Sequence, residues 1–127
     1  MSYGISKTTS LSFEQTIEKV TEELKKEGFG VLTTIDMKET LKKKIDVDIP
    51  RYTILGACNP HFANKALQVE KEIGLLLPCN VLVYEQDGSV TVSAFDPIIM
   101  DKIVSNPAIQ SISEEVQQRL RRVIAAM

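Results

Sequence analysis

The chain has 127 residues, enough for one sizeable hydrophobic core, which predicts a single domain over residues 1–127. Its 43% hydrophobic and 25% charged content is typical of a globular domain and excludes a disordered or collagen-like chain. Fifteen basic and seventeen acidic residues give a formal net charge of −2, so we expect no nucleic-acid partner.

The first strand and helix have clear sequence signals. Residues 3–9 are predicted to form a short strand. Ser12 and Gln15 then have the spacing of a capping box, in which each side chain bonds the backbone N–H of the other residue. Apolar residues follow at helical spacing. Gly28 is the residue expected just past the helix, where a positive φ suits glycine.

A second strand and a short helix come next. Residues 30–35 are rich in β-branched side chains, which predicts a strand. Asp36 begins a short helical segment that is expected to run to Lys44 and to face Leu41 and Ile45 inward.

The third strand leads directly into another helix. Residues 51–57 are predicted to be extended, and Gly56 within them indicates a close backbone approach or a bulge. Asn59 and Pro60 then begin a helix, because asparagine caps helices and proline suits the first helical position. Gly74 is the expected end of this helix.

The last third of the chain predicts a hairpin and closing helices. Residues 79–86 and 89–95 are rich in strand-forming side chains and flank Asp87-Gly88, the dipeptide that a type I′ turn favours. The Asp/Asn-Pro helix start recurs twice afterwards, at Asp96-Pro97 and Asn106-Pro107. Strands and helices do not alternate as the crossovers of a parallel sheet would require. The pattern therefore favours an α+β fold with an antiparallel sheet packed on helices.

Sulfur and polar side chains gather around the start of the third predicted helix. Cys58 follows a strand and precedes the first helical turn, whose unpaired N–H groups and positive dipole end favour a thiolate. Asn80 lies in a strand, where asparagine is disfavoured, so it either bonds a neighbouring loop or faces a ligand. The candidate ligand-binding residues are Cys58, Asn59, Pro60, His61, Cys79 and Asn80.

Three of these residues are candidate metal ligands. Cys58, His61 and Cys79 would supply two sulfurs and one nitrogen to zinc or copper, although their spacing is not that of a zinc finger. Whether Cys79 reaches Cys58 depends on topology. Antiparallel neighbours bring the end of one strand to the start of the next, whereas a parallel pair separates them. No catalytic residue is predicted, and the identity of any cofactor stays unknown.

At these motifs the chain resembles the family known as domain of unknown function 302. The resemblance rests on two cysteine-bearing segments, Ile54-Leu55-Gly56-Ala57-Cys58-Asn59-Pro60 and Leu77-Pro78-Cys79-Asn80-Val81. It implies a fold like that of the TATA-binding protein, with Cys58 and Cys79 at one sheet edge, and it suggests a homodimer. It carries over Cys58, Asn59, Pro60 and residues 77–80 as signature positions. It implies no established activity.

Two hypotheses for function follow. The first is a non-enzymatic ligand-binding or interaction module that pairs with itself and holds an unidentified small ligand. The second is a thiol-based metal-binding or redox site formed by Cys58 and Cys79 with help from His61. Whether the protein is an enzyme stays open at this point.

The remaining expectations concern location. Residues 1–10 lack the basic and apolar regions of a secretion signal. The longest apolar run, near Ile73–Leu77, is far shorter than the roughly 20 residues that span a bilayer. We therefore predict a cytoplasmic protein with no membrane partner, in which the two cysteines are thiols and not a structural disulfide.

Overall fold

Five antiparallel strands form one sheet in the computed structural model, which describes residues 2–127. The strands are β1 (Gly4–Thr9), β2 (Gly30–Asp36), β3 (Tyr52–Cys58), β4 (Cys79–Gln86) and β5 (Ser89–Phe95). Their order across the sheet is β1-β5-β4-β3-β2, and every neighbouring pair is antiparallel. The predicted α+β fold with an antiparallel sheet is therefore confirmed.

The helices are of two kinds, long ones that cover the sheet and short ones that connect strands. They are α1 (Phe13–Lys26), α2 (Met37–Ile45), α3 (Pro60–Val69), α4 (Met100–Ile103) and α5 (Pro107–Ala125). A 3₁₀ helix over Lys71–Leu76 joins α3 to β4, and a 3₁₀ turn over Pro97–Ile99 leads into α4.

The helix and turn signals of the sequence act as predicted at several positions. Ser12 and Gln15 form the capping box of α1, and Gly28 adopts a φ of 87° just beyond that helix. Asp87 and Gly88 both have positive φ, as a type I′ hairpin between β4 and β5 requires. The Asp87-Gly88 turn thus places β4 and β5 side by side without a long connection.

The main cluster of buried side chains lies between one face of the sheet and helices α1 and α5. Alternate residues of the central strands supply its floor, because successive strand side chains point to opposite faces. Its fully buried members include Val20, Leu24, Leu55, Val81, Val83, Val92, Leu120 and Val123. This cluster holds the two long helices on the sheet.

A second, smaller group of buried side chains lies at one corner of the molecule. It consists of Ala66, Ile73, Met100 and Ile109 and is called the corner cluster below. These four residues come from α3, the 3₁₀ helix, α4 and α5. Three shorter elements and the first turn of α5 therefore build the corner, whereas long elements build the main cluster.

Two sequence expectations about helices are wrong. Ile45 does not face inward but is 63% exposed, because α2 buries none of its residues against the rest of the fold. The third helix does not continue to Gly74, because Glu70 adopts an extended backbone (φ −150°, ψ 96°) and ends α3 at Val69.

The bulge expected near Gly56 lies instead in the neighbouring strand. The register of β2 against β3 shifts between Val31 and Thr33. Gly56 itself meets the close approach that its sequence position indicates, since a Cβ there would collide with Oγ1 of Thr33. Glycine is thus required by the packing of β2 against β3.

Candidate functional site

A small, partly open cavity of about 40 Å³ lies where the end of β3 and the start of β4 meet α3, α4 and α5. Its walls contain side chains of both buried groups, with Val116 from the main cluster and Ala66, Ile73 and Met100 from the corner cluster. The cavity therefore marks the seam along which the two groups of buried side chains fail to interdigitate.

Both cysteines line this cavity. Cys79 begins β4 and pairs with Ala57, so the two thiol-bearing residues lie one position apart across adjacent antiparallel strands. Cys58 is half-buried and Cys79 is buried, and both are free thiols. The prediction that the antiparallel arrangement brings them to one end of the sheet is confirmed.

Burial keeps Cys79 protonated. The loss of solvent around its thiol, and secondarily the neighbouring thiol of Cys58, raises the pKa of Cys79 to about 11. A buried thiol with this pKa is a poor nucleophile at neutral pH, since the thiolate is the reactive form.

Asn59 is buried but does not cap α3 with its side chain. Its Nδ2 donates to the backbone carbonyl of Glu27, 3.2 Å away, across 32 positions of sequence. Gly28 lies directly beneath it, because a Cβ at that position would stand 3.0 Å from Nδ2 of Asn59. The side chain that was predicted to cap α3 therefore connects a residue of the cavity lining to the end of α1 by a hydrogen bond.

Two arginines of α5 complete this tie. Nη1 of Arg119 donates to the same carbonyl of Glu27 at 2.9 Å, and its guanidinium lies 5.1 Å from the ring centre of Phe62 in α3. Arg122 pairs with the Glu27 carboxylate at 2.8 Å, and this hydrogen bond lowers the pKa of Glu27. The Arg119 guanidinium, which also pairs with Glu115 at 3.1 Å, therefore lies beside an aromatic ring of a residue that lines the cavity.

The start of α3 has no side-chain cap, and Pro60 occupies its first turn. Pro60 and His61 are exposed and are not among the residues that line the cavity. Their position beside Cys58 in sequence thus does not make them part of the cavity that Cys58 and Cys79 line.

Asn80 lies on the other face of the sheet. It follows Cys79 in β4, and the alternation of strand side chains turns it away from the cavity towards a shallow depression beside Leu82 and Phe95. Of the six candidate residues, the structure gathers Cys58, Asn59 and Cys79 around one space and leaves Pro60, His61 and Asn80 outside it.

The metal site predicted from Cys58, His61 and Cys79 receives no support from this geometry. Within residues 2–127, no three His, Cys, Asp or Glu side chains are grouped so that they could hold a metal ion. That ligand set remains a prediction from sequence alone.

Sequence reasoning did not find two residues that shape the site. Met100 places a buried thioether in the cavity wall, and Arg119 fixes a positive charge at its rim. The signal available for Arg119 was its place in the last turns of a helix, which indicates dipole compensation and not a contact 92 positions away. No local signal pointed to Met100.

Among residues 2–127, no helix has the length and apolar character needed to cross a membrane.

Comparison with known proteins identifies relatives over almost the entire chain. The family model described as domain of unknown function DUF302 matches residues 5–127. The chain is similar to a solved structure, the uncharacterized conserved protein DUF302 from Bacillus stearothermophilus, with 29% identity, 98% of each chain covered and a TM-score of 0.92. A search of curated proteins returns no match. The chain therefore belongs to the DUF302 family, as its two cysteine-bearing segments predict.

Proposed function

We propose that this protein is a non-enzymatic binding module that holds a ligand of only a few atoms in the cavity beside Cys58 and Cys79. One observation carries the proposal: a space of about 40 Å³ has a mainly apolar wall. No carboxylate, imidazole, amine or guanidinium belongs to the cavity wall within residues 2–127. Such a wall supports binding and offers no acid–base pair for catalysis.

The size of the cavity limits what it accepts. Pockets for metabolites measure about 300–1,000 Å³, whereas about 15 Å³ suffices for one water molecule. A water also needs two to four polar partners. Two polar groups of its lining are already engaged, because Nδ2 of Asn59 and Oγ of Ser113 each donate to a backbone carbonyl. A small occupant that forms no hydrogen bonds matches this space better than water does.

Xenon tests the proposal, because it binds small apolar cavities and needs no polar contact. Methyl NMR spectra under xenon pressure are expected to shift signals of Val116, Ile73 and Ile109 before any others. In Ala66→Val, two added carbons fill the cavity and these shifts are lost. Ala108→Val makes the same change on the exposed start of α5 and should leave them intact. Shifts scattered over surface methyls in the wild type would refute the proposal.

We also infer that two copies associate through β2. This strand is at the edge of the sheet, and residues 30–35 carry no charge that would repel a second copy of the same strand. Four exposed apolar side chains support the inference, since they belong to β2 and the segment after it: Leu32, Ile35, Ile45 and Val47. Two edges of this kind can pair about a twofold axis.

Light scattering of two matched variants tests the pairing. Leu32→Lys places a charge on the β2 edge and is expected to give monomers. Leu75→Lys makes the same change at a side chain that is 81% exposed on the 3₁₀ helix, and it should leave a dimer. A monomeric wild type would overturn the inference. The two free thiols suit a reducing compartment, so a cytoplasmic location remains our prediction.

A further inference from the structure

The side of the sheet turned away from the helices is called the open face below, and it holds Tyr52, Asn80, Leu82, Tyr84 and Ser93. The five strands contain three charged residues, and all of them pair with buried residues on the helix side: Lys7, Asp36 and Glu85. Because strand side chains alternate between faces, the open face carries no charged side chain within residues 2–127. Charged groups are depleted where a protein surface meets a partner, so this distribution indicates a binding surface.

Aromatic rings and hydroxyl groups share the open face. The rings of Tyr52 and Tyr84 stack across β3 and β4, with 5.5 Å between their centres. Burial, and then the neighbouring hydroxyls of Tyr84 and Tyr3, raise the pKa of Tyr52, so its hydroxyl stays neutral. Ile54 and Leu82 pair beside these rings. The surface therefore combines apolar area with hydrogen-bonding groups that carry no charge.

Two adjoining depressions lie on the open face where β4 begins. The first, of about 180 Å³, is bordered by Tyr3 and Leu82, and the second, of about 220 Å³, is bordered by Leu75. Asn80 and Phe95 line both depressions. The two depressions therefore form one trough across the start of the strand.

Asn80 supplies an unused amide to this trough. Its sequence position allows a bond to a neighbouring loop or contact with a ligand. The side chain is exposed and forms no hydrogen bond with another of residues 2–127. Ser93 lines the same trough, with its hydroxyl 2.6 Å from that of Ser6. The bond to a loop is thus not made, and amide and hydroxyl groups are available to a ligand.

We propose that the open face binds a neutral oligosaccharide along the trough and towards the stacked pair of Tyr52 and Tyr84. Sugar rings present C–H groups that pack on aromatic side chains, and their hydroxyls donate to and accept from neutral amides and hydroxyls. At about 3.3 Å per strand residue, Asn80 and Tyr84 lie about 13 Å apart, which several linked sugar rings span. This surface is separate from the cavity, so the inference goes beyond the proposed function.

Other partners match the open face less well. Nucleic acids need lysine or arginine side chains for their phosphates, and this face of residues 2–127 has neither. A second sheet packed on the face would bury hydroxyl and amide groups without hydrogen-bond partners, which is unfavourable. An oligosaccharide satisfies the apolar and the polar groups together.

The test is a titration of isotope-labelled protein with maltohexaose and with cellohexaose, which are neutral glucose polymers, followed by amide NMR. We expect at least one of them to shift the signals of Asn80, Ser93 and Tyr84 first and to saturate at millimolar concentration. Signals of α1 and α5, on the opposite side of the sheet, should stay in place.

Matched variants locate the contact. Asn80→Ala and Tyr3→Ala each remove one exposed group from the trough and are expected to weaken sugar binding about tenfold, as loss of one hydrogen bond or one stacked ring does. Asn64→Ala makes the first change at an exposed position of α3 and should bind as the wild type does. Because all three side chains are exposed, these variants should fold. Ala66→Val, which fills the cavity, should leave sugar binding unchanged.

Several outcomes overturn the inference. Absence of shifts with both sugars would remove the oligosaccharide as the partner, and shifts confined to the helices would place it elsewhere. Equal affinity of the wild type and Asn80→Ala would exclude the trough. Binding of a decaproline peptide without binding of either sugar would assign the open face to a protein partner. Xenon shifts around the cavity without sugar binding would dismiss this inference and leave the proposed function standing.

Discussion

The two groups of buried side chains differ in how completely they are packed. The main cluster joins long helices to alternate positions of a regular sheet, and ten of its seventeen members expose 1% of their surface or less. The corner cluster joins α3, the 3₁₀ helix, α4 and the start of α5, and the cavity opens where it meets the main cluster. Regular periodicity therefore produces close packing, while the junction of short elements with α5 leaves an unfilled space.

Matched truncations offer the strongest way to break this comparison. Leu120 in the main cluster and Ile73 in the corner cluster each expose no more than 1% of their surface. We expect Leu120→Ala to lower the free energy of unfolding by about 3–5 kcal/mol, the upper part of the range for core truncations. Ile73→Ala should cost about 2–3 kcal/mol, because short elements can shift to close the new space. Urea unfolding measures both, and an equal or larger loss for Ile73→Ala would contradict the distinction.

Cys79 belongs to the main cluster and also lines the cavity. The pKa of its thiol therefore tests how well side chains are buried where the two clusters meet. Burial raises the pKa of Cys79 from 9.0 to about 11, so the folded state keeps a proton that the unfolded state loses within this interval. The contribution of the buried Cys79 thiol to the free energy of unfolding is complete below pH 9 and declines as the pH rises towards 11. At about 1.4 kcal/mol per pKa unit, the total loss is about 2–3 kcal/mol.

Unfolding in urea at pH 8 and pH 10.5 checks this dependence. Cys79→Ala should lose most of the decline, whereas Cys58→Ala should keep it. A decline of the same size in Cys79→Ala would assign the pH dependence to other groups.

The tie between α1 and the mouth of the cavity can be tested at Gly28. Gly28→Ala forces an alanine to a φ of 87° and brings its Cβ to 3.0 Å from Nδ2 of Asn59. We expect a loss of about 1–2 kcal/mol, the usual cost of a left-handed conformation for a residue with a Cβ. Gly74→Ala is the control, because no atom lies within 4 Å of the added carbon. A shifted side-chain amide signal of Asn59 in Gly28→Ala alone would locate the strain.

The fold could be predicted from sequence where its causes are local. The capping box at Ser12, the positive φ at Gly28 and the Asp87-Gly88 turn each depend on a few neighbouring residues, and all three are confirmed. A short connection explains the antiparallel order only of β4 and β5, because α2 separates β2 from β3, and α3 with the 3₁₀ helix separates β3 from β4. The proximity of Cys58 and Cys79 therefore depended on the topology that the family resemblance implies, and the pairing of β3 with β4 bears it out.

The rest of the site depends on contacts distant in sequence. Asn59 has the right position for a helix cap, yet its amide bonds the Glu27 carbonyl, and no local pattern reveals that partner. Met100 reaches the cavity only because α4 docks at the corner. Asn80 is a different case, because it directly follows Cys79 in β4. The alternation of strand side chains predicts that these two residues point to opposite faces of the sheet, and the candidate list did not apply that rule.

Filling the cavity with a larger side chain gives the smallest expected change in stability. It also gives a change of opposite sign to the same substitution in the main cluster. Ala66 lines the cavity and Ala94 is buried in the main cluster. Ala66→Val should add about 1 kcal/mol of stability, since two buried carbons contribute about 0.8 kcal/mol each and β-branching in a helix subtracts several tenths. Ala94→Val should instead cost about 1–3 kcal/mol, because a closely packed core has no room for them. If both valines destabilise equally, the seam is as tightly packed as the main cluster and cannot hold a ligand.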